Sequence, residues 1–393
     1  MKKGWQMKKL SEICEIERGG SPRPIDSFLT NDPNGINWIK IGDTKNVAKY
    51  ITKTEEKIRP EGAKRSRLVY EGDFILSNSM SFGRPYIMKT TGCIHDGWLV
   101  LRKPKVNQDY LYHVLGSDLV FSQFDRLAAG STVRNLNIGL VKTVEIPFPP
   151  LPEQQRIVGI LEKAFAGIAT AKANSEKNLQ NARALFESHL QSVFTQRGPG
   201  WVEATLGDAY DVRDGTHDSP KYHATGYPLI TSKNLKREGL SFDDVKLINE
   251  QDYSKINERS AVHQGDVLFA MIGTIGNPTL VTVEPNFAIK NVALFKIPSG
   301  QSGAFLRHYL SSWGVISKMM KEAKGTTQKF VGLGYLRGFP INVPPLATQL
   351  EVVARLDELS EETRRLESLY KRKLDTLEEL KKSLLHQAFS GRL

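Results

Sequence analysis

Two cysteines in 393 residues, Cys14 and Cys93, are too few for a disulfide framework or a four-thiolate zinc site, and they fit a reducing compartment. No apolar run approaches the ~18–20 residues of a membrane span. No apolar stretch follows the charged opening Met1-Lys2-Lys3-Gly4-Trp5-Gln6, so a signal peptide is not expected. Together these absences point to a cytoplasmic protein. Apolar content of 40% and charged content of 25% are globular values, which argues against wholesale disorder.

The signatures of catalysis are also missing. There is no Gly-x-x-x-x-Gly-Lys-Ser/Thr phosphate loop. Phe330-Val331-Gly332-Leu333-Gly334 has the wording of a methyl-donor loop. Such a loop needs a buried strand before it and a helix after it, whereas Gly325-Thr326-Thr327-Gln328-Lys329 precedes and a proline-rich segment follows. No Asn/Asp-Pro-Pro-aromatic tetrapeptide is present to hold a flipped adenine. Asp43 with Glu55 and Lys57 resembles a nuclease triple, but the second half supplies no counterpart, and solvated loop residues explain it better. The eight histidines include no pair at i, i+4, so no catalytic residue and no metal site is expected.

What the chain does contain is itself, twice. With a period of about 195 residues, Trp5 and Leu10 recur as Trp201 and Leu206, and Gly72-Asp73 as Gly265-Asp266. Gly83-Arg84-Pro85 recurs as Gly276-Asn277-Pro278, and Gly130-Ser131-Thr132 as Gly325-Thr326-Thr327. Pro149-Pro150-Leu151 followed by Gln154 recurs as Pro344-Pro345-Leu346 followed by Gln349, and Ser188–Arg197 resembles Ser383–Arg392. A period this long means duplicated domains rather than a solenoid.

Each copy changes texture at its Pro-Pro-Leu junction. Before it, short strands such as Asp73-Phe74-Ile75-Leu76 and Trp98-Leu99-Val100-Leu101 alternate with Gly, Pro, Asn and Asp. After it, apolar residues recur every three or four positions without internal proline. They run from Glu153 to Phe194 (Ile157, Leu161, Ala164, Ile168, Leu179, Ala182, Phe186) and from Thr348 to Phe389 (Val352, Leu356, Leu359, Leu366, Tyr370). This spacing predicts two long amphipathic helices, each about 60 Å at ~1.5 Å per residue. Gly198-Pro199-Gly200 provides the stop for the first. An apolar stripe of that length needs a partner, and its own repeat is the obvious one. The fold expected is α+β: two pseudo-symmetric globular mixed α/β heads separated by two long antiparallel helices, coiled-coil-like. The alternative is two independent helices, each packed on its own head. The divisions fall at residues 1–150, 151–197, 198–345 and 346–393.

Net charge is +11, with an excess of seven in residues 1–150 and none in residues 346–393. A polyanion partner and plain solubility explain this equally well. The polar, glycine-punctuated loops say more. The first head offers Arg18, Ser21 and Arg23, then Lys40 and Asp43, Ser77 and Asn78 with Arg84, and Ser131, Thr132, Arg134 and Asn135. The second offers Thr216, His217 and Lys221, then Thr231, Ser232, Lys233 and Asn234. It adds Thr274, Lys290 and Asn291, and Thr326, Thr327, Gln328 and Lys329. Hydroxyls and amides beside Arg or Lys suit a duplex, holding phosphates and bonding base edges. The same residues are ordinary turn formers, so individually each reads as loop chemistry and jointly they favour DNA.

Two variable-looking heads, each followed by a Pro-Pro-Leu junction and a long helix, resemble the specificity (S) subunit of type I restriction-modification systems. The residues carrying the resemblance are Pro150-Leu151-Pro152-Glu153-Gln154-Gln155-Arg156-Ile157-Val158, Asp214-Gly215-Thr216-His217, Gly265-Asp266-Val267-Leu268 and Phe389-Ser390-Gly391-Arg392-Leu393. At the second junction Ala347-Thr348-Gln349-Leu350-Glu351 departs from that wording. The resemblance implies that each head is a target recognition domain reading half of a split double-stranded DNA site. It implies helices that space the heads and dock two methyltransferase (M) subunits, with restriction/translocase (R) subunits completing the complex. Methyl donor, ATP and Mg would then belong to those partners, and this chain would hold no cofactor. A self-contained methyltransferase or nuclease, and a coiled-coil scaffold without sequence preference, are the rival readings.

Overall fold

The computed structural model describes residues 3–78, 83–128, 136–196 and 198–393. It divides into two compact units, Met1–Ser175 with Arg372–Leu393, and Glu176–Lys371.

In the first unit, Gln6–Lys9 pairs antiparallel with Glu145–Phe148 at the root of the head. One sheet runs in the order Glu15–Arg18, Trp98–Arg102, Phe74–Ser77, Pro85–Met88, Tyr50–Ile51. A second runs Leu29–Thr30, Glu56–Ile58, Ile36–Ile39, Gly92–Ile94, Arg67–Val69. Its parallel pair sets Cys93 beside Trp38. The apolar strands read as unbroken runs because both faces are covered. Phe74, Leu76, Leu99 and Leu101 join the core under the helices, whereas Ile75, Trp98 and Val100 join a separate core with Ile39, Tyr86 and Ile94.

The second unit repeats the plan. Val202–Thr205 pairs with Pro340–Val343. The main sheet runs Asp211–Asp214, Val292–Lys296, Val267–Ala270, Gly276–Leu280, and beside it lies Lys246–Ile248, Tyr227–Ile230, Ala288–Ile289. Val267, Phe269, Ala293 and Phe295 face one core, and Leu268, Ala270, Val292 and Leu294 the other. A hairpin, Leu235–Lys236 with Gly239–Leu240, has no counterpart among the described residues of the first head.

The Gly-Asp turn that repeats in sequence repeats in structure. Gly72 (φ +92°) and Gly265 (φ +91°) take the left-handed conformation that favours glycine. The aspartate after each then accepts a backbone N–H, Tyr70 to Asp73 at 2.9 Å and His263 to Asp266 at 2.7 Å. Each also pairs with a cation on the neighbouring strand, Arg102 to Asp73 at 3.0 Å and Lys296 to Asp266 at 2.7 Å.

Single helices of 45 residues span Leu151–Thr195 and Leu346–Ser390, close to the predicted limits. The compact units cut across both, because each end of each helix is glued to a head. In the first unit Ile157, Leu161, Ala388 and Phe389 share a core with Trp5 and Tyr110, and Phe389 meets Tyr110 edge-on at 5.5 Å. Arg156 donates to the Leu393 carbonyl at 2.7 Å and Lys172 pairs with Glu378 at 2.6 Å, so these helix segments run antiparallel. Mutual pairing and packing on the heads therefore occur together. In the second unit Phe194 packs edge-on against Phe305 and Tyr309, and Arg183 forms a two-pronged pair with Glu367 at 3.1 and 3.2 Å. The stripe is less apolar than its periodicity predicts. Leu366 is exposed, while Ser175, Thr363 and Glu367 are buried, Glu367 by virtue of its arginine.

One detail of the methyl-donor expectation is corrected. A short helix, Leu333–Arg337, does follow Phe330. Before it, however, Phe330 makes only isolated bridges and is itself exposed, so no buried strand leads into the glycines.

Candidate nucleic-acid interface

Both heads build the same loop crossing. Where Glu15–Arg18 ends, the Gly19 N–H donates to the Trp98 carbonyl at 2.9 Å and Gly20 to Ile94 at 3.1 Å. Where Asp211–Asp214 ends, Gly215 donates to Val292 and Thr216 to Ile289, both at 3.0 Å. A Cβ on Gly19 would lie 2.0 Å from the His95 carbonyl oxygen, and one on Gly215 2.3 Å from that of Ile289, so only glycine lets the backbones pass this closely.

On this common frame the side chains differ. In the first head the Ser21 hydroxyl donates to Asp96 at 2.6 Å, the Arg18 guanidinium donates to the Asp96 carbonyl at 3.2 Å, and Arg23 stands 3.5 Å from the Asp96 carboxylate. The Ser21 hydroxyl, and beyond it His95 and Arg23, hold the Asp96 carboxyl below its ordinary range, while burial pushes His95 down. In the second head His217 takes the place of Ser21 and Asn291 that of Asp96. The His217 ring nitrogens lie 2.8 Å from Asn291 and 2.8 Å from Asp214, and Asp214 also holds Arg259 at 2.7 Å. Lys290 donates to the Ser219 hydroxyl at 2.6 Å.

A second pair of loops is built alike. Lys40 and Thr231 each precede a short 3-10 turn. Their N–H groups donate to Asp43 at 2.6 Å and Asn234 at 3.0 Å. Asp43 accepts from Glu55 as well, at 3.1 Å, so these two residues hold turns. Asn234 is buried, as are Ser77 and Asn78. The Ser77 hydroxyl accepts from Arg84 N–H at 3.1 Å, and the Asn78 amide donates to the Asp96 carbonyl at 2.8 Å. These interior residues position loops and present little surface to a ligand.

The structure gathers several of the remaining candidates into open clefts. In the first head a cleft of about 770 Å³ is lined by Ser21, Arg23 and Lys40 together with Trp38, Glu56 and His95. In the second, a cleft of about 740 Å³ brings together Thr231, Ser232, Lys233, Lys290, Asn291 and Gln328. Thr216 and His217 line a neighbouring cleft of about 510 Å³ with Arg259. Lys221, Thr274, Thr326, Thr327 and Lys329 are exposed but line none of these. Arg84 lies over the Tyr86 ring at 5.4 Å. Ser131, Thr132, Arg134 and Asn135 lie outside the described residues.

Lys236 and Lys246, which also line the second cleft, were not legible as candidates. One comes from the extra hairpin and the other from a strand edge, and nothing local marks either as facing Lys233. No group of three or more His, Cys, Asp or Glu side chains is placed to hold a metal ion among the described residues. No helix among them is long and apolar enough to cross a membrane.

The two units are a duplicated α+β head in which one loop frame carries two different sets of polar side chains. The family model of the type I restriction modification DNA specificity domain matches twice, over residues 2–180 and 199–378, and the chain belongs to that family with two such domains. It is 24% identical over 374 residues to the type I restriction enzyme MjaIX specificity subunit of Methanocaldococcus jannaschii, covering 87% of this chain and 84% of that one. It is 22% identical to the EcoKI specificity subunit of Escherichia coli, covering 99% and 89%. The fold is shared with the HsdS subunit from Thermoanaerobacter tengcongensis (TM-score 0.66, 20% identity, 100% and 98% covered). It is shared more closely with a chain solved in a study of complex assembly and conformational transition of the type I R-M system (TM-score 0.80, 19% identity, 100% and 99% covered).

Proposed function

We propose that this chain is the DNA-recognition subunit of a type I restriction-modification complex, each head reading one half of a bipartite duplex target. The observation that carries this is the shared loop crossing with exchanged side chains. Gly19 and Gly215 fix one backbone path, yet Ser21 with Asp96 stands in one head where His217 with Asn291 stands in the other. Side chains on loops of constant path are how one scaffold reads two base sequences, since specificity lies in contacts to base edges. The cleft lysines, Lys233 and Lys290, suit phosphates, and Arg23, Asn291 and Gln328 carry the donor patterns that suit bases.

The long helices set the distance between half-sites and dock two methyltransferase subunits, and restriction/translocase subunits complete the complex in the cytoplasm. Methylation, ATP hydrolysis and cleavage belong to those partners, with methyl donor, ATP and Mg. The test is to co-express the chain with its methyltransferase and map N6-methyladenine. A bipartite motif with a fixed gap is expected. The isolated chain should neither methylate, cleave nor hydrolyse ATP, and methyl transfer by a rigorously pure single-chain preparation would refute the reading.

A further inference from the structure

The repeated Gln154 and Gln349 are a motif that neither the cores nor the loops explain. Both sit on the first turn of a long helix, both are amides, and both are almost completely buried. A buried amide is costly unless its donor and acceptor are both used. Here both are.

The Gln154 side-chain carbonyl accepts the Asn107 N–H at 2.8 Å, and its amide donates to the Pro149 carbonyl at 2.8 Å. Asn107 is the capping residue of the head helix Gln108–Leu115, its own side chain accepting from Tyr110 N–H at 3.0 Å. Pro149 directly follows the root strand Glu145–Phe148. One side chain thus joins three elements: the long helix, the head helix and the root strand. The second unit reproduces the arrangement. The Gln349 carbonyl accepts the Ser302 N–H at 2.9 Å, and its amide donates to the Pro344 carbonyl at 2.8 Å and to Gln301 at 2.7 Å. Ser302 caps Gly303–Ser311, and Pro344 follows Pro340–Val343. This geometry survives although the wording around Gln349 departs from that around Gln154.

The geometry points to Gln154 and Gln349 as positioning residues that lock each head on its own helix and thereby enforce the gap between the two DNA half-sites. The inference rests on the bipartite reading above and goes further. A helix fixes a distance only if the object at its end cannot swivel. The root-strand ladders tie strand to strand within the head, and the core clusters that join head to helix do so by non-directional packing, which tolerates small rotations. Short, buried hydrogen bonds made to two backbone groups do not. Neither glutamine faces a cleft that carries the candidate DNA contacts, so their loss should leave base reading intact.

The test uses the full chain assembled with its methyltransferase and a duplex series whose gap is native, one pair shorter or one pair longer. Gln154→Met and Gln349→Met keep the volume and remove every hydrogen bond. For each, preference for the native gap over its neighbours should fall about tenfold, the worth of one to two buried hydrogen bonds, while both half-sites stay unchanged. A merely structural role predicts lowered stability with the gap preference intact, and that result overturns the proposal. If a methionine variant does not assemble, Gln154→Glu keeps an acceptor for Asn107 and loses the donor to Pro149. It must then lose part of the preference, and full preference there overturns the proposal too. On the unmodified chain, hydrogen exchange at the Asn107 and Ser302 amides must be slow; fast exchange would mean that no lock exists. Absence of any bipartite motif with the unmodified chain is a different failure, that of the functional reading itself.

Discussion

Removing Asp266 and removing Asp73 are the same mutation in the two copies of one motif, and the structure assigns them different costs. Asp266 is the more deeply buried, its side chain 5% exposed, and it accepts from His263 N–H at 2.7 Å, Lys296 at 2.7 Å and Ile297 N–H at 3.2 Å. In Asp266→Ala, Lys296 keeps only the Ala261 carbonyl at 3.0 Å, so a largely covered ammonium, 16% exposed, loses its carboxylate. Breaking a buried pair by removing one partner costs about 3–5 kcal/mol. In Asp73→Ala, Arg102 still holds Glu17 at 2.9 Å and the Leu68 carbonyl, so its charge remains compensated. What is lost there is one hydrogen bond to Tyr70 N–H and one of several to the guanidinium, about 1–2 kcal/mol. Native-state hydrogen exchange reads each unit in the same molecule, from the amides of Val267–Ala270 and of Phe74–Ser77. The drop in opening free energy should be larger by about 2 kcal/mol in the second unit's variant. Equal costs, or a larger cost for Asp73→Ala, would refute the account of both turns.

Burial pushes His113 down to about 4 from an ordinary 6.5, with Lys49 and Lys381 adding to it and Asp109 opposing. The unfolded chain then binds the proton first, so this contribution is complete above pH 6.5 and falls by about 3 kcal/mol as pH drops to about 4. His113→Phe should flatten the difference in first-unit stability between pH 7 and pH 4, and an unchanged pH profile counts against the burial. Burial also pushes the Cys14 thiol up to about 12 and raises that of Cys93, so iodoacetamide at pH 8 should label neither until the chain unfolds. Rapid labelling of the native protein would contradict it. Lys233→Ala and Lys290→Ala should each weaken DNA binding by the assembled methyltransferase and lower the salt slope by about 0.9 with sequence preference kept. Unaltered affinity in both would remove that cleft from the interface.

Periodicity alone placed the long helices to within about two residues at each end, because forty residues of helical spacing leave few alternatives. The strands Phe74–Ser77 and Trp98–Arg102 were legible for the same reason, as apolar runs too short for helices. What stayed hidden were relations between distant positions. Asn78 and Asn234 look like any loop amides, yet each is buried on a partner that local sequence does not reveal. Ser21 and Asp96, or His217 and Asn291, meet only because two strand ends are brought together by the sheets. The glycines at 19 and 215 were visible as turn residues, but their reason, a carbonyl oxygen in the space of a Cβ, is visible only in three dimensions.

The division of the chain bears on the order in which it is made. Glu176–Lys371 is one continuous stretch, so the second unit has all its residues as soon as Lys371 has been added. The first unit does not, although its head is synthesised earlier, because Arg372–Leu393 belongs to it and Ala388 and Phe389 complete its core. Domains generally fold as units during synthesis, N-terminal first. Here the rule is inverted: the head translated first must wait, with the apolar flank around Tyr110 and Leu161 uncovered, until Arg372–Leu393 has been made. A ribosome that stalls before Arg372–Leu393 is made would leave the later head finished and the earlier one open, and chaperone contacts should concentrate on the first head.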